Sequence, residues 1–215
     1  MPTTDTEVAT GYAELYADEI DAGLIEVVGP TAEAFMTPWW SPDPRPLIPV
    51  GQLHMDRRSR SFLRAPRGWR VTADTAFAEV VAACAEDRQP RWITSALTRA
   101  FEQLHAQGFA HSIEVWEGDR LIGGAFGIGF GTVFSLDSMF HRETRASKAA
   151  LIALEHCLVQ VGVEVIDAQW DSAHWRQHGA ILTNRTEYLE RLGGGQEPFV
   201  LSKEERLVED ICGAS

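Results

Sequence analysis

The sequence predicts a mixed α+β domain in which an antiparallel meander is extended by one parallel strand through a helical crossover. Two patterns carry that expectation. His111 to Trp116 alternates, Glu117-Gly118-Asp119 makes a tight turn, Arg120 to Phe130 returns as a second strand, and Thr132 to Met139 is a third. Ser147 to about Val161 then reads as a helix, and Val163 to Trp170 as a buried strand. A strand, helix and strand of one sheet join in parallel with a right-handed crossover, because a right-twisted strand feeding a right-handed helix packs back only that way. The length agrees: 215 residues, 45% hydrophobic and 23% charged, make one ordinary domain with small appendages.

The elements follow in order. Residues 1–37 read as a reduced, mixed-polarity N-terminal segment with one amphipathic stretch from Tyr12 to Ile20. From Pro38 to Pro49 five prolines fix φ and remove donors, which predicts a stiff, extended surface segment. Trp69 to Thr72 looks like a short strand. Asp74 is expected to cap a helix to about Glu86 with Phe77, Val80, Val81 and Cys84 on one face. Thr94 begins a helix to Gln107, and Gly108 sits at its end, where positive φ is wanted. Glycines 123, 124, 127, 129 and 131 thin the returning strand, so that backbone or ligand can approach closely. Helices are expected from Arg176 to Leu182 and from Thr186 to Leu192. The main domain spans 38–195 and ends in three glycines, and 196–215 is a tail whose part beyond Ser202 should add little but solubility.

No run approaches 18 apolar residues, so no spanning helix is expected, and the first residues lack the basic and apolar parts of a signal peptide. Cys84, Cys157 and Cys212 have no metal-ligand spacing, and buried thiols point to a reducing cytoplasm. The net charge of −12 opposes a nucleic-acid partner, since phosphate neutralisation normally supplies much of that affinity. Its distribution matters more. His54 to Arg70 holds six basic residues and one acid, a net +5 that leaves −17 for the rest. Such a strip can hold a short piece of RNA, or it can be a solvated face packing its stems on Phe62 and Trp69.

Several blocks occur in one order: Trp39-Trp40-Ser41-Pro42-Asp43-Pro44-Arg45, Trp92-Ile93-Thr94, Ala110 to Trp116, Phe134 to Phe140, Ala146 to Leu151, and Ile166-Asp167-Ala168-Gln169. Over about Pro38 to Leu192 this pattern resembles the leucyl/phenylalanyl-tRNA–protein transferase family. The resemblance implies a GNAT-like acyltransferase fold and transfer of an aminoacyl group from the 3′ adenosine of a tRNA to a peptide or protein N-terminal amine. It assigns catalytic positions to Asp137, Asp167 and Gln169, the last two sharing one face if they lie on a strand. Ala125, Phe134, Met139 and Leu154 would line an apolar cup for the aminoacyl side chain. Trp39 and Trp92 would stack on the terminal adenine, and Arg57, Arg58, Arg60, Arg64 and Arg67 would hold the acceptor end of the tRNA. The donor is already an activated ester, so no cofactor and no metal are called for.

The chain also departs from the family. Asp137 stands where Glu is usual, Ala125 and Leu154 replace larger groups, the lobe before the double tryptophan is reduced, and His174 to Ala180 carries Gln177 and His178 where small and apolar residues are usual. These departures suggest a divergent member acting in specialised, antibiotic-type peptide biosynthesis, with N-end-rule protein tagging as the alternative. An acyl-CoA N-acetyltransferase is a further alternative. It is disfavoured by the absence of glycine from Met139 to Ser147 and kept open by Arg142 and Arg145. As for nucleotide binding, Gly123-Gly124-x-x-Gly127-x-Gly129 is no phosphate loop. His174 and His178 lack the glutamate of a zincin motif.

Overall fold

The computed structural model describes residues 42–86, 92–192 and 197–213. Trp39 and the N-terminal stretch from Tyr12 to Ile20 lie outside these residues. Eight strands form one sheet: β1 (Arg45–Pro49), β2 (Trp69–Ala73), β3 (Ala110–Glu117), β4 (Arg120–Phe130), β5 (Val133–His141), β6 (Val165–Asp167), β7 (Ile181–Thr183) and β8 (Arg206–Leu207). Their spatial order is β7-β1-β6-β5-β4-β3-β2-β8. Among the described strands only β5 and β6 run parallel, and the helix between them, α4 (Ala146–Val161), is the expected crossover. The meander β3–β4–β5, that helix and β6 together make the GNAT-like α+β arrangement predicted from the sequence.

Consecutive residues on a strand point to opposite faces. Ala125 and Phe126 accordingly belong to two different buried clusters, one on each side of the sheet. The first packs α4 (Ala149, Ala150, Leu151, Leu154, Leu158) on Ile113, Ala125 and Phe134. The second packs α2 (Phe77–Ala85), α3 (Ser95–Ala106) and α6 (Arg185–Leu192) on the other face, with Phe126 edge-on to Phe101 at 5.0 Å. Glycine on β4 serves this packing. A Cβ at Gly123 would lie 2.6 Å from that of Ala146 on α4, and one at Gly129 would lie 2.3 Å from the Phe199 ring. Thr94 caps α3 as expected, accepting from Leu97 N at 3.2 Å. Thr94→Ala is expected to lower unfolding free energy by about 1 kcal/mol in a denaturant titration; an unchanged midpoint would mean that water replaces the cap.

Five expectations fail, each for a physical reason. Arg45 to Pro49 is no surface segment but an interior strand, with Arg45, Leu47 and Ile48 at most 1% exposed. Asp74 does not cap α2, whose N-cap is Ala76. Asp74 adopts φ 56° and accepts from Ser112 N at 2.9 Å and from His111 Nδ1 at 2.8 Å, tying the start of α2 to β3. The run Val163 to Trp170 is a strand only over Val165–Asp167. Arg176 to Leu182 divides into the end of helix α5 (Ala173–Gln177), a turn, and edge strand β7. The segment after Ser202 adds β8 to the sheet edge and α7 (Val208–Gly213) to the core, with Val208, Ile211 and Cys212 buried.

Candidate functional site

Two irregularities bring the polar residues together. On β5, Ser138 lies opposite Phe126 and Leu136 opposite Gly127, so Asp137 is the extra residue of a β-bulge. Bulges re-aim a side chain out of the strand's alternation. On β6 the device is a turn. Ala168 N donates to Pro46 O at 3.0 Å, but Pro46 has no N–H to return to the Ala168 carbonyl. That carbonyl accepts instead from Trp170 N at 2.7 Å, closing a three-residue turn around Gln169 at φ 62°. Asp167 and Gln169 therefore do not share a strand face as the sequence suggested; they converge because the chain turns between them.

Gln169 is held at three points. Its N–H donates to Asp167 Oδ1 at 2.8 Å, and its Nε2 donates to Asp137 Oδ1 at 2.8 Å and to Ser135 Oγ at 3.1 Å. A primary amide has two hydrogens, so both are used and Oε1 is the end left to meet anything else. Asp137 is arranged differently: Oδ2 is buried and has no hydrogen-bond partner among the described residues. Burial pushes the Asp137 carboxyl up to about 7; the neighbouring Asp167 charge adds to this, and the Gln169 hydrogen bond and Arg45 oppose it. β5 and β6 pair from Val133 and Val165 as far as Ser135 and Asp167, where the pairing ends, while β5 runs on to His141. The acid and amide thus sit at the fork where the two strands part.

Asp167 anchors this fork. It is fully buried, and its Oδ2 accepts from Arg45 Nη2 at 2.8 Å, Arg45 Nε at 3.1 Å and the Tyr188 hydroxyl at 2.9 Å. With Oδ1 taken by the Gln169 backbone, both oxygens are committed to the protein. Sequence reasoning named Arg45 only within a motif and missed Ser135 and Tyr188. A basic residue directly before Pro-Leu-Ile was the available signal for Arg45: a cation at the head of an apolar strand wants a buried anion.

Ala125, Phe134, Met139 and Leu154 do lie together. Ala125 pairs with Met139 across β4 and β5, and all four belong to the cluster under α4, with Met139 only partly buried. Trp92 stands exposed just before α3, outside both clusters. The basic residues fall on α1 (Arg57–Arg64) and the turn after it, and Arg57, Arg58, Arg60, Arg64 and Arg67 are all exposed. The stem-packing reading of this strip holds for part of it. Arg67 lies over the Phe62 ring at 3.5 Å and Arg64 donates to Cys212 O, while Arg57, Arg58 and Arg60 face solvent. Asp56 caps α1, and Lys148 and Ser59 hold its carboxyl well below the usual range. His174 and His178 meet ring to ring at 4.7 Å, with His178 Nδ1 bound to His54 O. Among the described residues no group of three or more His, Cys, Asp or Glu could hold a metal, and no helix is long and apolar enough to cross a membrane.

Fold and fork together define a GNAT-like α+β domain with an acid–amide centre beside its one parallel strand pair. Residues 47–193 match the family model described as leucyl/phenylalanyl-tRNA protein transferase, and the chain belongs to this family. A leucyl/phenylalanyl-tRNA–protein transferase of Shewanella baltica (strain OS223) is 45% identical over 154 residues, 70% of this chain and 65% of the relative. That of Shewanella oneidensis is 43% identical over 157 residues, 72% of this chain and 66% of the relative. The chain thus spans about 65% of the length of the curated relatives it matches. Among solved structures, L-PGS from Bacillus licheniformis aligns with TM-score 0.42 and 10% identity over 80% of this chain and 65% of that one.

Proposed function

We propose that this protein forms a peptide bond between the aminoacyl group of a charged tRNA and the free N-terminal amine of a peptide or protein. One observation carries the reading: a buried carboxyl with one unpartnered oxygen and a pKa near neutrality, beside an amide whose carbonyl end is left to the substrate. Amine attack on the ester carbonyl makes the C–N bond and breaks the C–O bond to the ribose. The amine must lose a proton and the departing 3′ oxygen must gain one. Asp137 is the group suited to take the first and return it, because a catalytic base works best with a pKa near the operating pH. Gln169 Oε1 orients the amine, and Asp167, held by Arg45 and Tyr188, positions Gln169.

Ala125, Phe134, Met139 and Leu154 receive the donor side chain, Trp39 and Trp92 the terminal adenine, and Arg57, Arg58, Arg60, Arg64 and Arg67 the acceptor end of the tRNA. With Ala125 and Leu154 small, the cup suits a donor other than the smallest side chains. Asp137 in place of Glu, together with the changed His174 to Ala180 segment, favours a small peptide acceptor in specialised biosynthesis. The alternative is Leu or Phe transfer to proteins, as the names of the relatives would have it, with those beginning with Lys or Arg as the acceptors. An acyl-CoA donor is less suited. Arg142 is engaged by Glu86 and the Leu121 carbonyl, and Arg145 stacks over Phe62 and reaches Ser59.

The test is a transfer assay over the 20 aminoacyl-tRNA donors, with short peptides and Lys- or Arg-initiated proteins as acceptors. Transfer from one donor group to a peptide is expected. No product with any donor would sink the proposal, and selective labelling of Lys- or Arg-initiated proteins with leucine would replace the biosynthetic reading by tagging.

A further inference from the structure

We infer that His174 and His178 form a two-imidazole site for a divalent cation of the Zn²⁺, Ni²⁺ or Cu²⁺ class, with water completing its coordination. Imidazole nitrogen suits these metals, whereas Mg²⁺ and Ca²⁺ want oxygen. The inference stands apart from the transfer reading, whose chemistry calls for no metal.

Spacing is the first support. His178 N–H donates to His174 O at 3.3 Å, so the two residues lie one helical turn apart at the end of α5, where side chains meet. Their ring centroids are 4.7 Å apart and the ring planes cross at 73°. A tetrahedral cation about 2.0–2.1 Å from one nitrogen of each ring would set the centroids about 5 Å apart, so the pair has little to move.

The tautomer is the second. His178 Nδ1 lies 2.7 Å from His54 O, and a carbonyl oxygen can only accept. Nδ1 therefore carries the hydrogen, and Nε2 of the neutral ring keeps its lone pair for a ligand. A ring held by a carbonyl at its other nitrogen is the usual state of a metal-ligating histidine. The hold is two-sided, because His54 N–H donates back to His178 O at 3.0 Å. His178 is thus a fixed ligand at 5% exposure, and His174 is an exposed one that meets a cation from solvent. Lys148, whose charge reaches both rings, is paired with Asp56 at 2.6 Å. α5 begins at Ala173, close behind the turn at Gln169, and β7 follows it. A cation here braces the turn from α5 into β7.

Zn²⁺ titrated calorimetrically into the chelator-treated full chain should bind at one ion per chain and raise the melting temperature, since it binds the folded state. His174→Ala changes an exposed side chain and leaves the fold intact. It should weaken binding by more than about a hundredfold, beyond the loss of an outer-shell partner, and abolish the thermal shift. His178→Gln should do the same, and its melting temperature without metal reports whether it folds. No Zn²⁺ binding by the wild type, or binding that survives His174→Ala, would overturn the inference and leave the two rings a packing pair.

Discussion

With Asp137 as the proposed base, Asp137→Asn is expected to lower the transfer rate by about 10²–10⁴-fold, the usual loss when a positioned base is removed. The substitution keeps the shape and the Gln169 hydrogen bond to Oδ1, so the loss belongs to proton transfer. In the wild type the rate should rise with pH as the carboxyl, pushed up to about 7, ionises and then reach a plateau; in the variant that rise should disappear. Stability moves the opposite way. A carboxyl raised from 3.8 to about 7 on folding favours the protonated native state, so its contribution is present at low pH and is lost as pH rises between those values. Above pH 7 the ionised carboxyl is a burden on the fold, and Asp137→Asn should melt higher than wild type there. A variant that is both fully active and no more stable would remove Asp137 from the chemistry.

Asp167→Ala is expected to cost about 3–5 kcal/mol of folding free energy, as when one partner of a buried ion pair is deleted. For a domain of this size that is a fall of roughly 6–20 °C in melting temperature. Arg45 would keep a buried guanidinium without the carboxylate 2.8 Å away, and the Tyr188 hydroxyl and the Gln169 N–H would each lose an acceptor. The double variant Arg45→Met, Asp167→Leu should recover much of the loss, because it removes both charges together. Were Asp167→Ala to melt with the wild type while Gln169 kept its place, the anchoring role would be refuted.

The meander and crossover were legible because their signals are local. Alternation, a Gly-containing turn and a helical run each depend on a dozen residues or fewer. The residues proposed to form a cup could be named only through family resemblance, since apolar periodicity does not separate a cup from a core. What could not be read was set by distant partners. The prolines of β1 signal exposure locally, yet Leu47 and Ile48 are buried by strands more than 100 residues later in the chain. Asp167 and Gln169 were correctly paired for the wrong geometric reason: their meeting depends on Pro46 leaving the Ala168 carbonyl open to Trp170, which no spacing within Ile166 to Gln169 reveals. The last residues misled because their apolar members, Leu201, Val208 and Ile211, are too sparse among charges to show a period.

The position of β1 bears on how the chain is made. β1 is the first strand described, yet both its neighbours, β6 and β7, come late in the sequence, with Leu47 paired to Asp167 and Ile181. On a ribosome adding about 5–20 residues per second, β1 waits roughly 6–24 s for the first of them. During that wait it is an apolar strand with no sheet to join, open to pairing with other nascent chains. Its prolines at 46 and 49 leave gaps in the row of donors that such pairing needs. The Pro46 that shapes the turn around Gln169 is thus also a guard on the unfinished polypeptide, and the Arg45–Asp167 contact, which orders the fork, is among the last to form.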